Sequence, residues 1–318
     1  MTMSLIWLNV TNNQHLKNNN MPSIFNLKYL PSRLMVFTLY LISFLSLKNK
    51  HRLGSWLGKK CYKYANSRTK IARKNMTACF PDKTAYEIEE LVEDCFIQLA
   101  TGFIEGTHAW WQDMQPFKDS VKVTGLEHVL NAQNKGKGVL ILGGHFAVVD
   151  FAIPLFSSKV ENLAYMYRPN NNPIIDNMIE TGRARANVSS FTKKQLKDMK
   201  AFMNNGGMVW YGCDQDFGQK ADIFVPFFGV NAANISTPSW IVKETGAAVI
   251  FMGMRRLEGK EQYEIEFSPE LPEFGLDDTA DAKAWNQELE KAVRRYPTQY
   301  MWVHKRFKTR PEGEAKFY

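Results

Sequence analysis

At 318 residues, with 45% hydrophobic and 23% charged side chains, the chain can bury a full core and is too apolar to be disordered. Its 40 Lys and Arg against 32 Asp and Glu leave a formal net charge of +8, which asks for an anionic partner. No zinc-finger, basic-zipper or aromatic RNA-binding pattern accompanies that charge, so nucleic acid is not the expected partner and an anionic membrane surface is. The four cysteines, Cys61, Cys79, Cys95 and Cys213, show no C-x-x-C or metal-type pairing. They fit a reducing compartment and read as packing residues, and neither a metal nor a cofactor is expected.

In chain order, residues 1–20 are polar and Asn-rich toward their end and read as a disordered leader, with Met21 an alternative start to Met1. Residues 34–47 (LMVFTLYLISFLSL) carry no charge, are flanked by Arg33 and Lys48, and lack a signal-peptide cleavage site. This is a membrane-associated helix. At 1.5 Å per residue it reaches only about 21 Å against a hydrocarbon core of about 30 Å, so an interfacial or re-entrant helix and a full span both stay open, with a buried core helix as the alternative. Behind it, Lys48, Lys50, His51, Arg52, Lys59, Lys60 and Lys63 interleave with Leu53, Trp56, Tyr62 and Tyr64, a pattern suited to anionic headgroups or to a solvated basic face. Residues 21–66 therefore form a membrane-associated N-terminal segment, and 67–318 one catalytic domain.

Thr84 and Glu87 form a capping box opening a helix whose apolar stripe runs through Ile88, Leu91, Val92, Cys95, Phe96 and Leu99. Thr192 and Gln195 form a second box before Leu196, Met199, Phe202 and Met203. Strand-like runs at 121–124, 138–142, 163–167, 208–211 and 247–254 alternate with helical ones near 126–134, 146–157, 173–185, 192–204 and 236–245, and a last helix lies near 278–296. That alternation predicts an α/β fold with a single, mainly parallel sheet flanked by helices.

Gly138 to Phe151 carries the chemistry. A buried strand ends at Gly143-Gly144, His145 follows at once, and Asp150 lies five residues on, in the first turns of the next helix. His145 held by Asp150 at one ring nitrogen would leave the other free to take a proton; a core histidine beside a helix-start aspartate is the bland alternative. Backbone N–H groups after Gly143-Gly144, with Arg168 on the loop Arg168-Pro169-Asn170, are candidate oxyanion donors, and Arg168 is equally suited to a phosphate. Arg183 and Arg185 are candidates for anionic groups of a substrate, although cations are favoured at a helix end in any case. Asp214 and Asp216, in a glycine-bounded loop, could hold Mg²⁺, orient a sugar hydroxyl, fix the arginines or simply close a turn. Trp110-Trp111 and Pro226-Phe227-Phe228-Gly229 could line a chain-length pocket or fill the core, core filling being the default.

The spacing His145-x4-Asp150 resembles the H-x4-D/E box of the glycerolipid-type acyltransferases. Around it, Arg68-x4-Arg73-x-Asn75, Cys79-Phe80-Pro81, Val123 to His128, Tyr167-Arg168-Pro169-Asn170, Gly182-Arg183-x-Arg185-x-Asn187, Asp214 to Gly218 and Gln299 to Pro311 resemble the lipid A biosynthesis (Kdo2-lipid IVA) lauroyl/myristoyl acyltransferase family, nearest its lauroyl branch. That family often has glutamate where this chain has Asp150. The resemblance implies an inner-membrane enzyme with its active site facing the cytoplasm, acyl carrier protein as donor, and as acceptor the hydroxyl of a hydroxyacyl chain on a phosphorylated glucosamine disaccharide. It implies His145 and Asp150 as the catalytic pair, with Arg168, Asn170, Arg183, Arg185 and Asp214 as substrate-binding residues. A glycerolipid or other glycolipid acceptor, or hydrolysis of the acyl thioester by the same pair, are the alternative readings.

Overall fold

The computed structural model describes residues 22–318 apart from residues 24, 187, 219–222 and 258–261. The expected leader, residues 1–20, and Asn187 lie outside the described residues. After a 3-10 turn at Leu27–Tyr29, helix α1 (Leu30–Ser43) starts with Pro31 in its first turn, where the missing N–H costs no helical bond. The apolar run 34–47 is not one helix. The chain turns at residues 44–46 and Ser46 caps α2 (Leu47–Tyr64) by accepting the Asn49 N–H. Buried Lys50 stabilises that turn, its Nζ donating to the carbonyls of Ser43 (2.8 Å) and Leu45 (2.6 Å). Among the described residues no helix is long and apolar enough to cross a membrane.

Helix α3 (Asn66–Cys79) is followed by the long α4 (Ala85–Trp111), which opens on the predicted Thr84–Glu87 box. Helix α2 lies against α4 at backbone contact distance. A Cβ on Gly54 or Gly58 would overlap the Cα of Thr101 or Ile97, so side-chain-free positions set that crossing.

Then come β1 (Val121–Thr124), α5 (Leu126–Gln133), β2 (Val139–Gly143), α6 (Val149–Ser157), β3 (Leu163–Met166), α7 (Pro173–Ala184), β4 (Ser189–Phe191), α8 (Leu196–Asn204) and β5 (Met208–Gly212). The hairpin β6 (Ile223–Phe227) and β7 (Val230–Asn234), α9 (Thr237–Thr245), β8 (Ala248–Arg256), β9 (Tyr263–Phe267) and α10 (Asp278–Arg295) complete the order. Seven strands form one sheet in the order β1-β9-β8-β2-β5-β3-β4, while β6 and β7 make a separate antiparallel pair. Strands β8, β2, β5, β3 and β4 are mutually parallel; β9 runs antiparallel to β8 and carries β1 with it. The mainly parallel sheet expected from the alternation is present. All five residues of β2 are buried, and since successive side chains point to opposite faces, both faces of the sheet are covered there.

One local expectation differs. Thr192 meets Gln195 as a capping box would, its N–H and hydroxyl both donating to Gln195 Oε1, but the contact closes a turn and α8 begins only at Leu196. A polar network ties the N-terminal helices to the sheet: Glu105 of α4 accepts Nε (2.7 Å) and Nη2 (2.6 Å) of Arg256 and the Tyr263 hydroxyl (2.8 Å), and meets His51 of α2. Burial alone would raise the Glu105 carboxyl, but the Arg256 and His51 partners outweigh it and hold it below its ordinary value.

Candidate active site

Strands β2 and β5 are paired in parallel with Gly143 opposite Gly212. His145 and Asp214 each sit two residues beyond that matched pair, so the register of neighbouring strands delivers them side by side. His145 Nδ1 lies 2.5 Å from Asp214 Oδ1, and the His145 backbone N–H donates to Oδ2 at 2.9 Å. The carboxylate thus takes both donors of one residue, fixing ring and backbone together. Asp214 is buried at 2% exposure while the His145 side chain keeps 26%. A carboxylate at Nδ1 places the proton there and leaves Nε2 as the acceptor.

This corrects the pairing read from the sequence. Asp150 does lie in the first turn of α6, but its hydrogen bonds come from Arg183, whose Nε (2.9 Å) and Nη2 (2.6 Å) both donate to Oδ1. The imidazole is claimed by the carboxylate just beyond the end of the adjacent strand. Arg183 also lies over the Tyr165 ring, 4.8 Å from its centre, so the cation is held from two sides beside the histidine. The backbone N–H groups expected to form an oxyanion hole are occupied: that of His145 by Asp214, that of Phe146 by the Gly144 carbonyl, and that of Ala147 by the Gln299 carbonyl.

The C-terminal tail forms the back wall of the site. Ala147 N–H donates to Gln299 O (2.7 Å), Met301 N–H donates to His145 O (3.1 Å), and Phe146 and Tyr300 form an antiparallel bridge. Gln299 is itself pinned by two hydrogen bonds to the Arg256 backbone at the end of β8. Asn75 of α3 donates to the carbonyls of Trp302 and His304, both at 2.8 Å, so the separately recognised segments around residue 75 and residue 302 are one packed unit. Gly102 of α4 lets the loop approach from the other side; a Cβ there would overlap the Ala147 carbonyl oxygen.

The electrostatics follow from these contacts. Burial disfavours a charged His145, but the Asp214 carboxylate outweighs it and raises the imidazole above its ordinary 6.5. For Asp214, burial works upward, yet His145, its backbone N–H and Arg306 bring the carboxyl down to about 2. His304 Nε2 accepts the Asp216 N–H (3.2 Å), and burial pushes this second imidazole below its ordinary value.

Of the residues singled out in the sequence, His145, Asp150, Arg183 and Asp214 come together. Arg168 and Asn170 lie exposed on the loop after β3, and among the described residues neither bonds to those four. Asn170 instead shapes the entry to α7, donating its N–H to Asp176 and accepting from Asn172. Arg185 is exposed and borders a cavity of about 470 Å³ with Gln112, Lys118 and Ser158, whose lining includes neither His145 nor Asp214. Asp216 closes the turn, accepting from Gly218 N–H and from the Thr309 N–H and hydroxyl. Phe227 and Phe228 are in the main core, and Trp110 packs with Leu39 and Met178 where α1, α4 and α7 meet. Tyr300, His304 and Arg306 were visible only as letters of the tail motif; their position behind the pair is what gives them a role.

A covered, mainly parallel sheet with a histidine–carboxylate pair and a clamped arginine at its carboxyl edge is an α/β framework of the kind that carries enzyme sites beyond its strand ends. Residues 19–309 match the model of the bacterial lipid A biosynthesis acyltransferases. The chain is 35% identical over 271 residues to the lipid A biosynthesis lauroyltransferase of Escherichia coli (strain K12), covering 84% of this chain and 88% of that protein. It is 31% identical over 267 residues to the palmitoleoyltransferase of the same organism (84% and 87%), and 31% over 257 residues to a lipid A biosynthesis acyltransferase of Haemophilus influenzae (80% and 81%). The chain belongs to the bacterial lipid A biosynthesis acyltransferase family, and it is an acyltransferase.

Proposed function

We propose that the enzyme transfers a fatty acyl chain, lauroyl first among the candidates, from acyl carrier protein to a hydroxyacyl chain of a phosphorylated lipid A precursor. The observation that carries the mechanism is the His145–Asp214 contact, which holds Nδ1 on a carboxylate and leaves Nε2 as the acceptor of a side chain that keeps 26% of its surface exposed. Nε2 takes the proton of the acceptor hydroxyl as its oxygen attacks the thioester carbonyl; the tetrahedral intermediate collapses, the C–S bond breaks, and the imidazolium returns the proton to the departing thiolate. Asp214 stabilises the imidazolium while it exists. Arg183, oriented by Asp150, supplies positive charge for the developing oxyanion or for an anionic group of the acceptor. The lauroyl assignment rests on the name of the 35% identical relative.

Localisation at the cytoplasmic face of the inner membrane belongs to the same proposal. The outer face of α1 exposes Leu34, Phe37 and Leu41, with Phe44 beyond its end, and α2 follows with its basic residues, an arrangement suited to lying in an anionic interface.

The test is to incubate detergent-solubilised enzyme with a panel of acyl-carrier-protein thioesters and a tetra-acylated lipid A precursor, and to identify products by mass spectrometry. A penta-acylated product, lost by about 10²–10⁴-fold in His145→Ala with folding intact, supports the reading. Free fatty acid formed at the same rate with and without acceptor would replace it with a thioesterase, and undiminished transfer by His145→Ala would remove the mechanism.

A further inference from the structure

Where the end of α4 meets the ends of α6 and α7 lies the cavity of about 470 Å³ that Arg185 borders. That volume falls within the roughly 300–1,000 Å³ of small-molecule sites. Two cations line it, Lys118 from the 3-10 stretch Gln115–Ser120 and Arg185 just past α7, and among the described residues neither side chain forms an ion pair. The carboxylate of the lining, Asp113, accepts the Gln115 backbone N–H at 3.0 Å. The lining therefore carries excess positive charge, with the Gln112 amide and the Ser158 hydroxyl beside it. Hydrocarbon is a poor occupant, because it would strip water from both cations; an anion with hydrogen-bonding groups is a good one.

The position of the cavity narrows the choice of anion. On one side α4 lies against the site: a Cβ on Gly106 would meet Asp150 Cβ at 3.3 Å, and Ala109, one turn on, is in the lining. Arg185 comes two residues after the Arg183 that clamps Asp150. On the other side Gln112 Nε2 donates to the hydroxyl of Ser43 (2.8 Å), the last residue of α1, and exposed Phe44 follows. Along α4, Gly106 and Gln112 are about 9 Å apart. The cavity thus occupies the ground between the Asp150–Arg183 pair and the apolar end of α1.

We propose that this cavity is the subsite for a phosphate monoester on the sugar of the acceptor, with Lys118 and Arg185 binding the phosphate oxygens. The inference rests on the proposed transfer to a phosphorylated glycolipid, whose reacting hydroxyl and phosphate hang from one sugar unit, so a site for the second belongs beside a site for the first. Arg185 offers a planar fork to two phosphate oxygens and Lys118 a point charge to another. Arg183 stays with Asp150 at the reacting centre, so the two arginines of one short segment divide the work.

The test uses full-length enzyme in detergent. Binding of glucosamine 1-phosphate and of glucosamine is followed by ligand-observed NMR, and kcat/KM is measured with a tetra-acylated acceptor before and after removal of its phosphates. Lys118→Ala combined with Arg185→Ala removes both cations, while Ser158→Asp keeps them and gives them a carboxylate of their own. Wild type should bind the sugar phosphate and not the free sugar, and either variant should weaken that binding by about tenfold or more. Transfer to the phosphorylated acceptor should fall by a similar factor, and transfer to the dephosphorylated one by less than about threefold. Equal losses with both acceptors, or undiminished sugar-phosphate binding in the folded double variant, overturn the subsite. So does a loss that vanishes when acyl carrier protein is replaced by a phosphate-free acyl-pantetheine thioester, since the phosphate would then be the donor's. Sugar-phosphate binding that needs both cations, in an enzyme that acylates neither acceptor, would remove the proposed reaction while upholding the phosphate site.

Discussion

Asp150 and Asp214 carry the same functional group and hold different partners, and their amides separate the two roles. Asp214→Asn removes the carboxylate that sets the tautomer, so kcat/KM should fall by about 10²–10⁴-fold in a steady-state assay. Because the working form is the neutral imidazole, the wild-type rate should rise with pH through a midpoint above 6.5, where Asp214 holds it. In Asp214→Asn burial acts unopposed and the midpoint should drop below that value, even though the remaining rate is lower. Asp150→Asn should leave the midpoint closer to wild type and act through the loosened Arg183, so a profile displaced as far as that of Asp214→Asn would reverse the two assignments. Asp150 was legible in the sequence because it shares a short segment with His145. Its use was not: Asp214 lies 69 residues away and reaches the ring through the register of β2 and β5, which no local periodicity records. The sequence marks both acidic residues of that loop alike, and only their contacts distinguish Asp214 on the histidine from Asp216 in its turn.

Among the elements, α4 connects the site to the rest of the chain at two points. Gly102→Ala places a methyl group against the Ala147 carbonyl, which is fixed between α4 and the tail. Overpacking of this kind costs about 1–3 kcal/mol, and displacing a catalytic loop by about 1 Å can cost on the order of 10²-fold in rate. Urea melts and turnover should therefore both worsen, the turnover more than unfolding explains. One turn along, Glu105→Ala strips a buried carboxylate from Arg256, His51 and Tyr263, leaving an arginine uncompensated. That loss should destabilise the protein by about 3–5 kcal/mol in denaturant melts, and Glu105→Gln should recover part of it. The helix was legible because its capping box and apolar stripe are local signals, and so were the buried runs of β2, β5 and β8. Strands β4, β6, β7 and β9 were not. Pro226 interrupts β6, and β9 alternates Tyr, Ile and Phe with Glu264 and Glu266, which stay acceptable only because Lys122, Arg255 and Arg295 reach them from elsewhere.

At the scale of the whole molecule, the net charge of +8 and the apolar N-terminus were read from the sequence as one feature, and the fold joins them in space: α1 turns at residues 44–46 directly into the basic α2, which packs along α4. What periodicity missed was the break, because an uncharged run looks continuous until Lys50 is seen to bond the carbonyls at its bend. If this face lies in an anionic interface, two forces act on it. Transfer of a half-exposed leucine out of water contributes roughly 1 kcal/mol or more, and each lysine near the surface about 1 kcal/mol at moderate salt. Leu34 and Leu41 are 58% and 52% exposed, so the double change Leu34→Glu with Leu41→Glu should cost the folded protein little. Its co-sedimentation with vesicles containing anionic lipid should nonetheless weaken at least tenfold, combining lost apolar transfer with added repulsion. Raising salt from about 0.1 to 0.5 M should weaken the wild type by screening while leaving an apolar residue of binding. Turnover on a soluble, short-chain acceptor should survive the double change, because neither leucine touches the pair at His145. Loss of vesicle binding with turnover retained would place α1 in membrane docking alone; unchanged vesicle binding would remove this face from the interface and leave the basic surface to serve the acidic donor protein.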